Sequence, residues 1–168
     1  MAEIVRDLLL AELERLQKRT LETISEFTQE QLTWLSGQGP GNPIGFLFWH
    51  MPRREDYHLQ ERIQSVPQIW QSEGWHQRIG LDPEATGFGF TPEQVKAFKV
   101  PSLEQAIAYY NQVREATLGY LRAATDQTLT SPMPDMPDTS IAAYLMPRIG
   151  HEHEHWGQID YLKGIMPD

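Results

Sequence analysis

Four long stretches of this chain carry apolar residues at helical spacing, with charged and polar residues between them. Each stretch predicts a helix with one apolar face, which another element must cover. The stretches cover about residues 3–27, 43–66, 102–124 and 139–163. A long irregular segment, residues 67–100, separates the second stretch from the third. The sequence therefore predicts an all-α fold, a four-helix bundle with a long crossover between the second and third helices, in a single domain over residues 1–168.

Local signals predict where several helices begin and end. Asn42 is placed to cap the second helix, with Pro43 at its first helical position. The run Ser-Leu-Glu-Gln at 102–105 is a capping-box pattern for the third helix. The run Thr-Pro-Glu-Gln at 91–94 is another, and it predicts a short helix within the crossover. Gly164 is placed to cap the end of the fourth helix, which follows a proline-rich turn.

Prolines also lie inside two of the predicted helices. Pro52 follows His50 by two residues, and Pro147 precedes His151 by four. Each proline removes a helical hydrogen bond, so it either kinks the helix or marks an end or irregularity in it. Both interpretations stay open from the sequence, and a kink would open the bundle for a substrate.

Composition excludes several functions. The formal charge is −9 and the basic residues are scattered, whereas nucleic acids and anionic membranes bind clustered Lys and Arg. No apolar run is long enough to span a membrane, and the first residues do not resemble a secretory signal, which predicts a cytoplasmic protein. Cysteine is absent, so any metal must be held by His and carboxylate side chains.

Two histidines on the fourth predicted helix have the spacing of metal ligands. His151 and His155 are four residues apart, which places them on one helix face about one turn from each other. His153 lies on the opposite face, about 200° round the helix. The alternative is a solvated, histidine-rich helix end. Imidazole is the commonest metal ligand, so we favour a metal site, which then requires a third ligand.

His50 is the best candidate for the third ligand. It lies on the second helix among Phe46, Leu47, Phe48, Trp49 and Met51, where a neutral imidazole needs a partner. A core histidine with ordinary hydrogen bonds is the alternative. His58 is about 12 Å further along the helix, and His76 lies in the crossover, so both are weaker candidates.

The run 151–155 also matches the H-E-x-x-H pattern of zinc proteases, with Glu152 as general base, and the inverted H-x-x-E-H pattern with Glu154. No histidine follows His155, and Gln158 stands where the extended pattern of one such class requires glycine. A protease is therefore a minor alternative.

The runs 42–50 and 151–159 together resemble the two signatures of the DinB-like superfamily, and the resemblance covers nearly the whole chain. It implies a four-helix bundle that holds one divalent metal ion, most often zinc or nickel, through His50, His151 and His155. Characterised relatives include bacillithiol S-transferases and a mycothiol-dependent maleylpyruvate isomerase, which implies a low-molecular-weight thiol as cosubstrate. This chain has Trp156 where the family commonly has arginine.

Further polar residues near the histidines are candidates for catalysis or substrate binding. Arg53 or Arg54, and Arg148, are placed to hold an anionic substrate, while Tyr144 and Gln158 are placed to orient the ligands. The alternative for each arginine is a surface ion pair with a neighbouring carboxylate: Glu55, Asp56 or Glu152.

Three classes of function remain open from the sequence. The first is a metal-dependent transferase that joins a thiol to a small-molecule substrate, the second is a metal-dependent hydrolase, and the third is a bundle that binds a metal or small molecule without chemistry. The crossover aromatics suit a homodimer contact, a lid or a satellite core: Trp70, Trp75, Phe88 and Phe90.

Overall fold

Helices make up most of the chain in the computed structural model, which describes residues 3–37 and 41–167. The short irregular segments between them carry one two-stranded hairpin. The elements in chain order are α1 (Ile4–Ile24), α2 (Gln29–Thr33), α3 (Ile44–Asp56), a π-helical segment (Tyr57–Ile63), α4 (Ile69–Ser72), α5 (Trp75–Ile79), α6 (Pro92–Lys96), α7 (Leu103–Ala123), α8 (Asp126–Thr130), β1 (Pro132–Met133), β2 (Met136–Ser140) and α9 (Ile141–Ile165).

The long helices α1, α3, α7 and α9 form the bundle. Helix α1 packs against α7 and α9, and α3 packs against the same two helices, so α1 and α3 occupy opposite corners. One apolar cluster joins α3 and α7 to the crossover, and a second joins α1, α7 and α9. The predicted all-α bundle, with a long crossover between the second and third of its long helices, is confirmed. No helix of the described residues has the length and apolar character needed to cross a membrane.

Capping boxes fix two helix starts as predicted. The Thr91 hydroxyl accepts a hydrogen bond from the backbone N–H of Gln94 at 3.3 Å, at the start of α6. The Ser102 hydroxyl does the same for Gln105 at 3.2 Å, at the start of α7. In both cases the glutamine side chain accepts from the backbone N–H of the capping residue. These signals are local, so they can be read without knowing the fold.

Two predicted caps are wrong. Helix α3 begins at Ile44, and the residue that precedes it is Pro43, not Asn42. Pro43 is extended, its carbonyl accepts from the backbone N–H groups of Phe46 and Leu47, and no side chain caps the helix there. Helix α9 continues through Gly164 to Ile165, because Gly164 keeps a helical backbone instead of the left-handed one that a glycine cap needs.

Other elements had no clear pattern in the sequence. The first helix ends at Ile24, earlier than predicted, and the short helices α2, α4, α5 and α8 were not predicted. The predicted proline-rich turn is a hairpin, in which Met133 pairs with Met136 in antiparallel register. Elements of two to five residues contain less than two turns of periodic signal, so tertiary contacts decide them.

Neither internal proline ends its helix. Pro52 lies within α3 and Pro147 within α9. Five residues after Pro52 the helix widens into the π-helical segment, which carries the buried residues His58 and Leu59. A π-helical turn changes the direction of the side chains that follow it, and such turns occur often at functional sites.

A buried polar network ties the crossover to α3. The Asp56 carboxylate accepts hydrogen bonds from the backbone N–H groups of Ile69 and Trp70, at 2.9 and 2.8 Å. Arg53 is fully buried and donates to the carbonyl of Ala85 at 3.0 Å. Tyr109 on α7 donates its hydroxyl to Asp56 at 2.9 Å. The crossover is therefore a packed part of the bundle, held at both its beginning and its middle.

Crossover aromatics complete this packing. Trp70 and Trp75 are buried in the apolar cluster around α3, and Phe90 packs against it. Phe88 is 73% exposed and lies beneath the Arg54 guanidinium, 4.8 Å from the ring centre. Three of the four aromatics therefore serve the core, and only Phe88 is presented at the surface.

Candidate metal centre

Three histidine nitrogens converge between α3 and α9. The Nε2 atom of His151 lies 3.2 Å from Nε2 of His50 and 3.0 Å from Nε2 of His155. One ligand atom from each of the three histidines lies within 4.8 Å of the other two. His50 is buried, whereas His151 and His155 are half-buried. The structure therefore brings together the three histidines that the sequence selected, and we refer to them as the histidine triad.

Hydrogen bonds on the far side of the rings fix which nitrogen carries the proton. Nδ1 of His50 lies 2.5 Å from the carbonyl oxygen of Thr86, which can only accept, so Nδ1 carries the hydrogen. Nδ1 of His155 lies 2.8 Å from the side-chain oxygen of Gln158 and donates in the same way. Both rings then present an unprotonated Nε2 towards His151. This arrangement is typical of metal-binding histidines, whose second nitrogen donates to an oxygen.

The donor set fits a divalent metal ion. His151 can donate a hydrogen to only one of its two neighbours. At least two of the three Nε2 atoms therefore present a lone pair to the space between the rings. A tetrahedral ion with Zn–N bonds of about 2.0–2.1 Å would separate such nitrogens by about 3.4 Å, close to the distances between these rings. Three protein nitrogens are also the usual number for catalytic zinc, which keeps one further position for water or substrate.

The electrostatics of the site favour the neutral rings that bind metals. Burial lowers the pKa of His50 to about 3. Burial, together with the neighbouring His155, lowers the pKa of His151 to about 4. Both imidazoles are therefore unprotonated at neutral pH, with a lone pair available for coordination.

Gly87 allows the crossover to approach His50 closely. Its φ is +80°, and a Cβ at this position would lie 2.7 Å from Nδ1 of His50 and 3.1 Å from the Phe46 ring. Any other residue would meet both steric clash and backbone strain. The preceding Thr86 carbonyl can therefore reach the imidazole. The sequence showed glycines at 87 and 89, but nothing in it identified His50 as their neighbour.

A cavity of about 200 Å³ lies beside His151, between the four long helices. Its polar lining includes Arg54, His58 and Arg148. Arg54 donates to Nε2 of His58 at 3.0 Å. The Arg148 guanidinium lies 4.0 Å from the centre of the Tyr144 ring. Apolar side chains from three helices and the π-helical segment form much of the remaining wall: Leu13, Met51, Leu59, Leu145 and Ile149.

The other predicted site residues are distributed between this cavity and the core. Arg53 lies in the buried network around Asp56, so Arg54, not Arg53, faces the cavity. Tyr144 contacts His58, with 2.7 Å between its hydroxyl and Nδ1, and not a histidine of the triad. Gln158 contacts His155 as described above.

The surface ion pairs considered for the arginines do not form. Arg53 pairs with Asp56, but both side chains are fully buried. Within the described residues, neither Arg54 nor Arg148 has a carboxylate within 4.0 Å, because Glu55 and Glu152 pair with Arg114 instead. The sequence could not reveal this, since Arg114 lies on a different helix.

The weaker ligand candidates lie outside the triad. His58 is bonded to Arg54 and Tyr144, and burial lowers its pKa to about 3. Nδ1 of His76 is 3.1 Å from the carbonyl of Trp70 in the crossover. His153, which is predicted on the opposite face of the helix and not as a ligand, contacts Glu12 on α1, with 2.6 Å between Nε2 and the carboxylate.

Glu152 is held in a buried ion network. One carboxylate oxygen accepts the Tyr110 hydroxyl at 2.7 Å, and the other accepts from Arg114. Arg114 is itself fully buried and also donates to Glu55 at 2.9 Å and to the carbonyl of Leu13 at 2.8 Å. Both oxygens of Glu152 are thus engaged, which argues against the general base of a zinc protease. The other acidic candidate, Glu154, is exposed.

Comparisons with known proteins agree with this architecture. No curated protein matches the chain. A crystal structure of a conserved protein from Enterococcus faecalis superposes with a TM-score of 0.79, at 22% sequence identity, over 97% of this chain and 96% of the other. At that identity the likeness establishes the fold alone. The sequence model of the DinB superfamily matches residues 12–159. The match spans most of the chain, and the protein is a member of the DinB superfamily.

Proposed function

We propose that this protein is a divalent-metal-dependent transferase, which binds zinc or nickel at the histidine triad and joins a low-molecular-weight thiol to a small-molecule substrate. The main support for a metal ion is the convergence of three Nε2 atoms. That of His151 lies 3.2 Å from that of His50 and 3.0 Å from that of His155. Membership of the DinB superfamily supports the transferase part, since the relatives named above use such thiols. The cavity beside His151 supports a small molecule as the second reactant.

A divalent ion at this site would lower the pKa of a coordinated thiol or water and so supply a nucleophile at neutral pH. The chain's own residues prepare the donor atoms. The Thr86 carbonyl and the Gln158 side chain hold His50 and His155 in the tautomer with a lone pair on Nε2. Phe46 stacks parallel to the His50 ring, with 6.0 Å between ring centres, and restrains its rotation.

The cavity gives the second reactant a defined place. It adjoins His151, so a molecule bound there would have one end near the triad. The apolar side chains that line the rest of the cavity would limit the water around a bound molecule, which favours attack by a thiol over attack by water. The engagement of Glu152 with Tyr110 and Arg114 supports the same preference, because Glu152 is then not free to act as the general base that the zinc-protease pattern requires.

Thiol-dependent turnover tests the proposal. The metal-loaded protein is supplied with bacillithiol, mycothiol, glutathione or cysteine and a chlorinated aromatic electrophile, and thioether formation is followed by absorbance. We expect turnover with at least one thiol, lost in His50→Ala. The matched control is His153→Ala, which removes a histidine from the other face of α9 and should keep the activity. Consumption of the electrophile at the same rate without thiol, with chloride released and a hydroxylated product formed, would indicate a hydrolase, and no turnover with any thiol would leave a binding protein.

A further inference from the structure

The polar end of the cavity carries positive charge without a matching carboxylate. Arg54 and Arg148 both line it, and within the described residues neither has a carboxylate within 4.0 Å. Glu55 and Glu152 also line the cavity, and both pair with Arg114, whose single positive charge offsets one of their two negative charges. Together with Arg114, the two cavity arginines carry one positive charge more than the two carboxylates. The region around the cavity therefore has an excess of positive charge.

Aromatic rings support both cavity guanidinium groups. Arg148 lies 4.0 Å from the centre of the Tyr144 ring, and Arg54 lies 4.8 Å from that of Phe88. A guanidinium over a ring face keeps its in-plane N–H groups available for an oxyanion, which it can bind through two parallel hydrogen bonds. Among the described residues, Arg148 contacts the Tyr144 ring and has no carboxylate within 4.0 Å, so its N–H groups are available to a ligand.

His58 fixes the position of Arg54. Arginine can only donate, so Nε2 of His58 accepts from Arg54, and Nδ1 then carries the hydrogen that faces the Tyr144 hydroxyl. Burial lowers the pKa of Arg54, and the positive charge of Arg148 contributes to the same shift. An anion between the two arginines would relieve that repulsion.

We propose that the cavity binds a small organic carboxylate, with Arg54 and Arg148 holding the carboxylate group and the apolar wall holding the body of the molecule. His58 is a positioning residue that holds Arg54. His151 is the triad residue that lines the cavity with the two arginines; Arg148 precedes it by three residues on α9, and Arg54 follows His50 by four on α3. The substrate class named here rests on the proposed function, in which the reacting carbon of that carboxylate lies close to the triad.

Calorimetric titration of the full-length protein tests this proposal. The ligands are hexanoate and 1-hexanol, which have the same apolar tail length and differ in the charged group. Metal is first removed with EDTA and dialysis, so that the carboxylate cannot bind a metal ion instead of the arginines. We expect hexanoate to bind at least tenfold more tightly than hexanol. Equal affinity for the two ligands would overturn the proposal.

Two variants assign the selectivity to residues. Arg54→Gln and Arg148→Gln should each weaken hexanoate binding at least tenfold. The matched control is Arg122→Gln, which removes an exposed arginine bonded to Glu14 and Glu115 on the outside of the bundle and should change the affinity less than twofold. Circular dichroism establishes that each variant is folded. Unchanged hexanoate affinity in either cavity variant would overturn the assignment.

The same preparations separate this inference from the proposed function. Carboxylate selectivity that depends on both arginines supports the inference even where no thiol supports turnover. Thiol-dependent turnover by a protein that binds hexanoate and hexanol equally retains the proposed function and overturns the inference.

Discussion

Two pairs of arginines inside this bundle carry the same charge in opposite surroundings. Arg53 and Arg114 are fully buried, and each contacts at least one carboxylate as well as a backbone carbonyl. Arg54 and Arg148 are half-buried beside the cavity and rest on aromatic rings, with no carboxylate within 4.0 Å among the described residues. A buried charge needs its partner for the fold to be stable, whereas a charge without one is available for a ligand. Arg53 and Arg114 therefore stabilise the fold, whereas Arg54 and Arg148 are available to bind a ligand.

The largest expected effect concerns Arg114. Arg114→Met leaves Glu55 and Glu152 without their cation, and we expect the free energy of unfolding to fall by about 3–5 kcal/mol. Urea unfolding followed by circular dichroism measures the change. The double variant Arg114→Met, Glu152→Gln should recover part of the loss, because one of the two uncompensated charges is gone. A loss below about 1 kcal/mol would show that the network is dispensable for the fold.

A second prediction concerns Gly87, which lets the crossover contact His50 of the triad. Gly87→Ala should lower the free energy of unfolding by about 2 kcal/mol. The alanine would have to adopt a strained φ of +80°, and its Cβ would lie 2.7 Å from Nδ1 of His50. Gly89→Ala is the matched control, because its φ is +72° but nothing lies within 4 Å of the added Cβ. Urea unfolding should therefore show a smaller loss for Gly89→Ala. Metal affinity should fall only in Gly87→Ala, since only there is the Thr86 carbonyl displaced.

The pH dependence of the free energy of unfolding tests the burial of His50. In the folded chain the pKa of His50 is lowered to about 3, whereas an unfolded histidine titrates near 6.5. The unfolded chain then binds more protons below about pH 6.5, so stability is fully present above that pH and is lost as the pH falls towards 3. Metal-free protein should lose about 1.4 kcal/mol from His50 between pH 7.5 and 5.5. His50→Gln should show a shallower dependence in urea unfolding, and equal slopes would contradict the assignment.

The smallest expected effect is that of the cavity arginines on stability. Arg148→Gln and Arg54→Gln should each change the free energy of unfolding by less than about 0.5 kcal/mol, because neither charge has a carboxylate partner to lose. Urea unfolding is again the measurement. A loss comparable to that of Arg114→Met would remove the distinction between the two pairs, and would make Arg54 and Arg148 structural residues.

Much of the fold and the triad could be predicted because their signals are local or periodic. The i, i+4 spacing of His151 and His155 places them on one helix face, and the four apolar stripes predict the bundle. His50 is the best candidate for the third ligand because it lies on the second helix among apolar residues, and the resemblance to the family implies the same residue; in the structure its Nε2 lies 3.2 Å from that of His151.

The rest of the site depends on contacts between distant parts of the chain. Thr86 is 36 residues from His50, and Arg114 is 38 residues from Glu152. No spacing rule connects such residues, because the crossover path and the rotation of each helix decide which ones meet. The same holds for His58, which meets Tyr144 across 86 residues from within a π-helical segment. Arg53 and Arg54 are adjacent in sequence, yet one enters the core network and the other the cavity.

The metal content of the untagged, purified protein tests whether the histidine triad binds a metal ion. Plasma mass spectrometry is applied to the wild type, His50→Ala and His151→Ala, with His153→Ala as the matched control and circular dichroism as the measure of folding. We expect about one equivalent of zinc, nickel or a similar ion in the wild type and in His153→Ala, and none in His50→Ala and His151→Ala. Wild-type protein that stays free of metal, even after incubation with zinc or nickel salts, would contradict it.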